Sequence, residues 1–227
     1  MSVAFDVTKP LSGASFGATV RLTKPLSRGV PDGLPGVLAE ANGLMLIPGL
    51  QEIADKPELL VALSRAFGSE VEDYRYTLTS RSSVHATVPE IFLVSNMAPV
   101  NRKPPRRPDP PMTADRGLPV QYPHRKGWHT DQSYRRPPPD ISLFYAVTPV
   151  ARDRGQTLFA DGTTAYAALP AHLKAKVDGL QGLHCQPGTA RSRVGALAGR
   201  THIEQAPTAR SQPQPVVRRH PVTGKPA

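Results

Sequence analysis

Apolar positions fall into short blocks with two different spacings. In residues 57–67, PELLVALSRAF, Leu59, Leu60, Leu63 and Phe67 recur at helical spacing. Pro57 suits a first helical position and Gly68 follows as a stop, so a helix is predicted there. Residues 34–42 carry a second helical pattern ended by Gly43, and residues 163–169 and 171–180 predict two short helices around Pro170. Other blocks are β-leaning. Residues 14–22 form one, and Leu44–Ile47 before Pro48-Gly49 reads as a buried strand running into a turn. Residues 90–95 (EIFLVS), 141–147 (ISLFYAV) and 157–160 (TLFA) predict three more strands, and Val216-Val217 is the strand-like spot near the end. The order is irregular, without the regular alternation of a doubly wound sheet, so a mixed α+β fold is expected.

Proline changes this picture in one place. The chain holds 26 prolines in 227 residues, about twice ordinary usage, which argues against a helical bundle. They crowd into residues 99–126, a Pro/Arg-rich stretch that can continue neither strand nor helix and reads as a long loop. Charge is placed just as unevenly. The net value of +10 resides in residues 101–140, with nine Lys/Arg against four Asp/Glu, and residues 185–227, with seven against one. Basic clusters of this kind attract anions, nucleic acid included, but no aromatic residues interleave with the tail arginines to stack bases, so nucleic acid is not expected. Residues 186–214, rich in Arg, Ala and Gln, are expected to be divergent and poorly ordered. No apolar run reaches membrane-helix length. MSVAFDVTKP lacks the pattern of a secretory signal, and the single cysteine, Cys185, excludes an internal disulfide framework, so a cytoplasmic location is expected.

The candidate chemistry sits in Trp128-His129-Thr130-Asp131. His129 and Asp131 stand at i and i+2, so in an extended segment an imidazole nitrogen and a carboxylate oxygen share one face and can meet one metal ion. Two nitrogens and one carboxylate on a single face make the facial triad of non-haem iron(II) oxygenases. Trp128 itself reads as core packing. His85, ahead of the 90–95 strand, reads as a loop histidine within reach of a substrate pocket, and Asn96 as a strand-end cap.

The surroundings of that tetrapeptide carry a resemblance. WHTD is followed by Ser133-Tyr134, Pro137-Pro138, the apolar stretch 141–147, Gly155-Gln156-Thr157, and Ala165-Tyr166 to Leu169-Pro170; PVVRRHPVTGK comes at residues 215–225. In this order the chain resembles the taurine dioxygenase/2,4-dichlorophenoxyacetate dioxygenase family. The resemblance implies a double-stranded β-helix (jelly-roll) core with flanking helices over residues 14–227. It implies Fe(II) as cofactor and 2-oxoglutarate as co-substrate, with dioxygen and a small, anionic organic molecule as the other reactants. His129 and Asp131 would be metal ligands, and Thr157 would help hold 2-oxoglutarate. The family's second metal-binding His and its 2-oxoglutarate-binding Arg follow the R-H-P-x-T-G-K segment, here Arg219 to Lys225. The late core strands are therefore expected to be missing, the domain incomplete at its C-terminus, and the activity of the chain alone weak. Arg154 stands where the family has a glycine. His184, His202 and His220 are not favoured as replacement ligands. Two other readings stay open: a non-catalytic remnant of the family, and a basic binding module. A homo-oligomer is compatible with all three.

Overall fold

The computed structural model describes residues 4–76, 83–94, 128–135, 137–149, 157–185, 211–220 and 223–227. The expected loop at 99–126 and residues 186–210 lie outside them. The chain divides into two units, one formed by residues up to Glu72 and from Ser133 onward, the other by Asp73–Gln132.

The first unit begins with a three-stranded sheet. Strand β1 (Phe5–Thr8) pairs antiparallel with β2 (Ala18–Leu22), Val7 opposite Val20, and β2 pairs in parallel with β3 (Met45–Leu46). β2 alternates as a half-buried strand should: Ala18 and Val20 are fully buried while Arg21 faces outward. Gly17 leads into it at φ +89°, and a Cβ there would lie 3.2 Å from the Leu11 Cβ and 3.3 Å from the Leu44 carbonyl oxygen. Only glycine meets both demands.

Helix α1 (Leu34–Glu40) has Pro35 in its first turn. It ends where Asn42 turns left-handed, φ 52°, and the Gly43 N–H reaches back to the Leu38 carbonyl, satisfying a terminal acceptor. Helices α2 (Glu52–Asp55) and α3 (Glu58–Arg65) follow. Val20, Leu26, Leu34, Ile53 and Leu63 form the core, with Leu59, Leu60 and Phe67 of the predicted helical stripe against it. Glu52 ties this layer together by accepting the Leu26 and Ser27 N–H groups. A hydrogen bond from the Ser27 side chain foremost, with the Ser27 and Leu26 N–H groups adding to it, holds its carboxyl below the ordinary value despite some desolvation.

Several expected strands take a different form. In residues 141–146 Leu143 and Tyr145 pack on the core while Phe144 between them is exposed, but the stretch has no regular secondary structure and joins no sheet among the described residues. Residues 157–160 likewise have no regular secondary structure and are exposed. The 44–47 strand is shorter and less buried than expected, with Leu46 half exposed. In the 90–95 block, Phe92 makes one isolated bridge to Val84.

Helix α4 (Gly162–Ala168) stops before Leu169-Pro170, because the residue before proline is forced extended, and α5 (Ala171–Val177) restarts after it. A second sheet then forms from β4 (Gln181–Cys185) and β5 (Ser211–Pro215), antiparallel, with Gly182 opposite Gln214 and His184 opposite Gln212. The strand near the end thus lies just before Val216-Val217. The last four residues of the stretch expected to be poorly ordered, 211–214, are part of it, which corrects that expectation there. β5 tolerates Pro213 and Pro215 because the Val216 N–H bonds to the Leu180 carbonyl, which makes the even-numbered residues of β5 the hydrogen-bonded ones.

Candidate active site

The second unit carries the tetrapeptide. His129 Nε2 lies 3.2 Å from Asp131 Oδ1, so the i, i+2 spacing does bring the two groups together. Both side chains are open to solvent, 57% and 68% exposed. Trp128 is exposed as well, against the expectation of core packing. Residues 131–134 form a turn, in which Gln132 adopts φ 51°.

The separation of the two donor atoms tests the fit to a metal. Two ligands at about 2.1 Å from one ion and at right angles are about 3.0 Å apart, by octahedral geometry. The observed 3.2 Å matches within a small side-chain adjustment. A neutral imidazole and a carboxylate also suit a divalent first-row metal. Among the described residues, no group of three His, Cys, Asp or Glu forms a complete set.

His85, in the same unit, has a local task. Its Nδ1 accepts the Val88 N–H at 3.2 Å and the Thr87 N–H at 3.4 Å, closing the turn before Ile91. Asn96 lies outside the described residues.

Thr157 belongs to the first unit, exposed in the irregular stretch leading to α4. That stretch is anchored at Asp161. Its Oδ1 accepts the Thr163 N–H at 2.9 Å and the Thr163 hydroxyl at 2.7 Å, capping α4. Its Oδ2 accepts the Thr164 hydroxyl at 2.6 Å and the Asn42 amide at 3.1 Å. Burial pushes this carboxyl up, but the Thr163 and Thr164 bonds outweigh it and leave it below the ordinary aspartate value.

The first unit also holds the chain that leaves the tetrapeptide. His184 Nδ1 lies 2.7 Å from the Ser133 hydroxyl. The buried Gln214 side chain donates to the Ser133 and Arg135 carbonyls at 2.9 and 3.1 Å, and Arg135 pairs with Glu72. Sequence reasoning missed Gln214. The available signal was the polar residue repeated at every second position of 212–214 between prolines. His220 Nδ1 accepts the Thr223 N–H at 3.2 Å inside the terminal turn, and His202 lies outside the described residues.

Comparison with known proteins places the chain among dioxygenases. An alpha-ketoglutarate-dependent sulfonate dioxygenase of Saccharomyces cerevisiae is 35% identical over 104 residues, 44% of this chain and 23% of the relative. The alpha-ketoglutarate-dependent 2,4-dichlorophenoxyacetate dioxygenase of Cupriavidus pinatubonensis is 34% identical over 100 residues, 43% of this chain and 33% of the relative. The matched region thus spans a third or less of the length of these relatives. No solved structure matches the chain. The family description "Taurine catabolism dioxygenase TauD, TfdA family" matches residues 8–227, nearly the whole sequence, and the chain belongs to that family.

Proposed function

We propose that this chain serves an iron(II)- and 2-oxoglutarate-dependent dioxygenase that hydroxylates a small organic anion. The observation that carries the reading is the 3.2 Å approach of His129 Nε2 to Asp131 Oδ1 within a family of such enzymes. In this reading His129 and Asp131 hold the metal and Thr157 donates a hydrogen bond to a 2-oxoglutarate carboxylate. Bound iron(II) would activate dioxygen, the oxidant, one oxygen atom going into succinate as 2-oxoglutarate loses CO2 and the other into the hydroxyl formed at a substrate C–H bond. The residues of this chain contribute by holding and orienting. Asp131 supplies negative charge that favours a cation, and the neutral His129 ring supplies a lone pair. Asp161 caps α4 and so anchors the stretch bearing Thr157.

The substrate class follows from the relatives, whose names specify a sulfonate and an aryloxyacetate. Both are organic anions, and a net charge of +10 favours their approach. We read residues 14–227 as part of one jelly-roll catalytic domain, acting in the cytoplasm. Among the described residues no helix is long and apolar enough to cross a membrane.

The experiment is succinate production by the purified chain with iron(II), 2-oxoglutarate, oxygen and a panel of alkyl sulfonates and aryloxyacetates. Succinate above background, lost in His129→Ala and Asp131→Ala, is the expected result. Turnover that persists in both variants would remove the assignment of these residues.

A further inference from the structure

Hairpin β4–β5 is built inside out. A half-buried strand normally turns apolar residues inward. Here Gly182, His184, Gln212 and Gln214 occupy the less exposed positions, whereas Leu183, Pro213 and Pro215 face solvent. The register aligns these inward residues across the pair. Burying a polar face is costly unless its groups are hydrogen-bonded. Among the described residues, His184 and Gln214 direct their side-chain hydrogen bonds to one short segment: the Ser133 hydroxyl, the Ser133 carbonyl and the Arg135 carbonyl. Gly182 makes room for this, since a Cβ there would lie 3.2 Å from His184 Nε2. The segment so held begins two residues after Asp131, inside the same 131–134 turn.

We propose that Gln214 and His184 are positioning residues for metal binding. By fixing the backbone of residues 133–135 they restrict the turn that carries Asp131, so that its carboxylate stays at the spacing shared with His129. The proposal rests on the reading of His129 and Asp131 as ligands. Neither Gln214 nor His184 coordinates the metal; both act through the chain, as outer partners do when they orient a ligand. Gln214 does this with one amide group shared between two carbonyls, and His184 with one ring nitrogen on a hydroxyl.

The test uses the full metal-free chain and Co(II), a redox-inert stand-in for iron(II), titrated calorimetrically. Amide hydrogen exchange of residues 129–135 is followed in parallel. Gln214→Leu removes both donated bonds at similar volume, and His184→Phe removes the ring nitrogen. His184→Asn keeps a polar atom near the Nδ1 position, and Ser133→Ala deletes a single hydroxyl should the larger changes prevent folding. The expected result is about tenfold weaker Co(II) binding in Gln214→Leu, a smaller loss in His184→Phe and Ser133→Ala, and recovery in His184→Asn. Exchange should quicken in 129–135 and stay unchanged in the β1–β2 sheet. Wild-type Co(II) affinity and turn exchange in Gln214→Leu and Ser133→Ala, with binding lost in His129→Ala, would overturn the positioning role alone. Co(II) affinity unchanged in His129→Ala would overturn the ligand reading and the proposal with it.

Discussion

Asp161→Ala and Asp161→Asn separate the two halves of the anchor beneath the Thr157 stretch. The alanine variant loses the α4 cap and the bonds from both threonine hydroxyls and Asn42. Loss of an N-cap costs about 0.5–2 kcal/mol, and the additional acceptors place this site toward the upper end, about 1–2 kcal/mol. For a chain of this size that is a fall in Tm of about 3–6 °C. Asparagine retains an oxygen for the Thr163 N–H but puts an amide where Oδ2 accepted, so about half of the loss is expected. The sign of the pH dependence follows from the depressed carboxyl. Its stabilising contribution is complete above the unfolded value of about 3.9 and is lost as pH falls through the lower folded value. Urea unfolding followed by far-UV circular dichroism from pH 7 to pH 2.5 reads both effects. The gap between wild type and Asp161→Asn should be constant down to about pH 5 and close below about pH 4. A gap independent of pH, or an alanine variant within about 0.3 kcal/mol of wild type, would refute the cap as drawn.

Leu34→Ala empties a fully buried position in the core and should cost about 2–5 kcal/mol in the same urea assay. Gly17→Ala combines a left-handed φ with crowding against Leu11 and Leu44, so a loss of about 1–3 kcal/mol is expected, read as a lower urea midpoint. Thr157→Val should weaken 2-oxoglutarate binding while leaving Co(II) affinity unchanged; calorimetric titration of each ligand separates the two, and equal loss of both would point to a folding defect.

What the sequence disclosed follows the range of the forces involved. The helix over 57–67 and strand β2 were legible because their periodicities report a local face toward one core. His129 and Asp131 could be paired because they are two residues apart. The stretch 141–147 shows the limit. Its apolar run predicted a strand; Leu143 and Tyr145 do pack on the core, but sheet membership depends on a partner strand that no local pattern encodes. β4 and β5 were missed for two reasons: the prolines of β5 argue against a strand, and the buried face is polar. The Gln214 bond to Ser133 spans 81 residues, so the alternating glutamines at 212 and 214 carried no hint of that partner.

The prolines of β5 have a consequence for assembly. Pro213 and Pro215 stand at the positions whose backbone faces away from β4, so the outer rim of the hairpin lacks two of the donors that a new strand would need. On the opposite rim, Gln181 and Leu183 keep both backbone groups directed outward from the pair. The hairpin is therefore a template with one closed side. Another strand, whether from this chain or from a second copy, can extend it by regular pairing only along β4, and edge-to-edge stacking of two β5 strands is disfavoured.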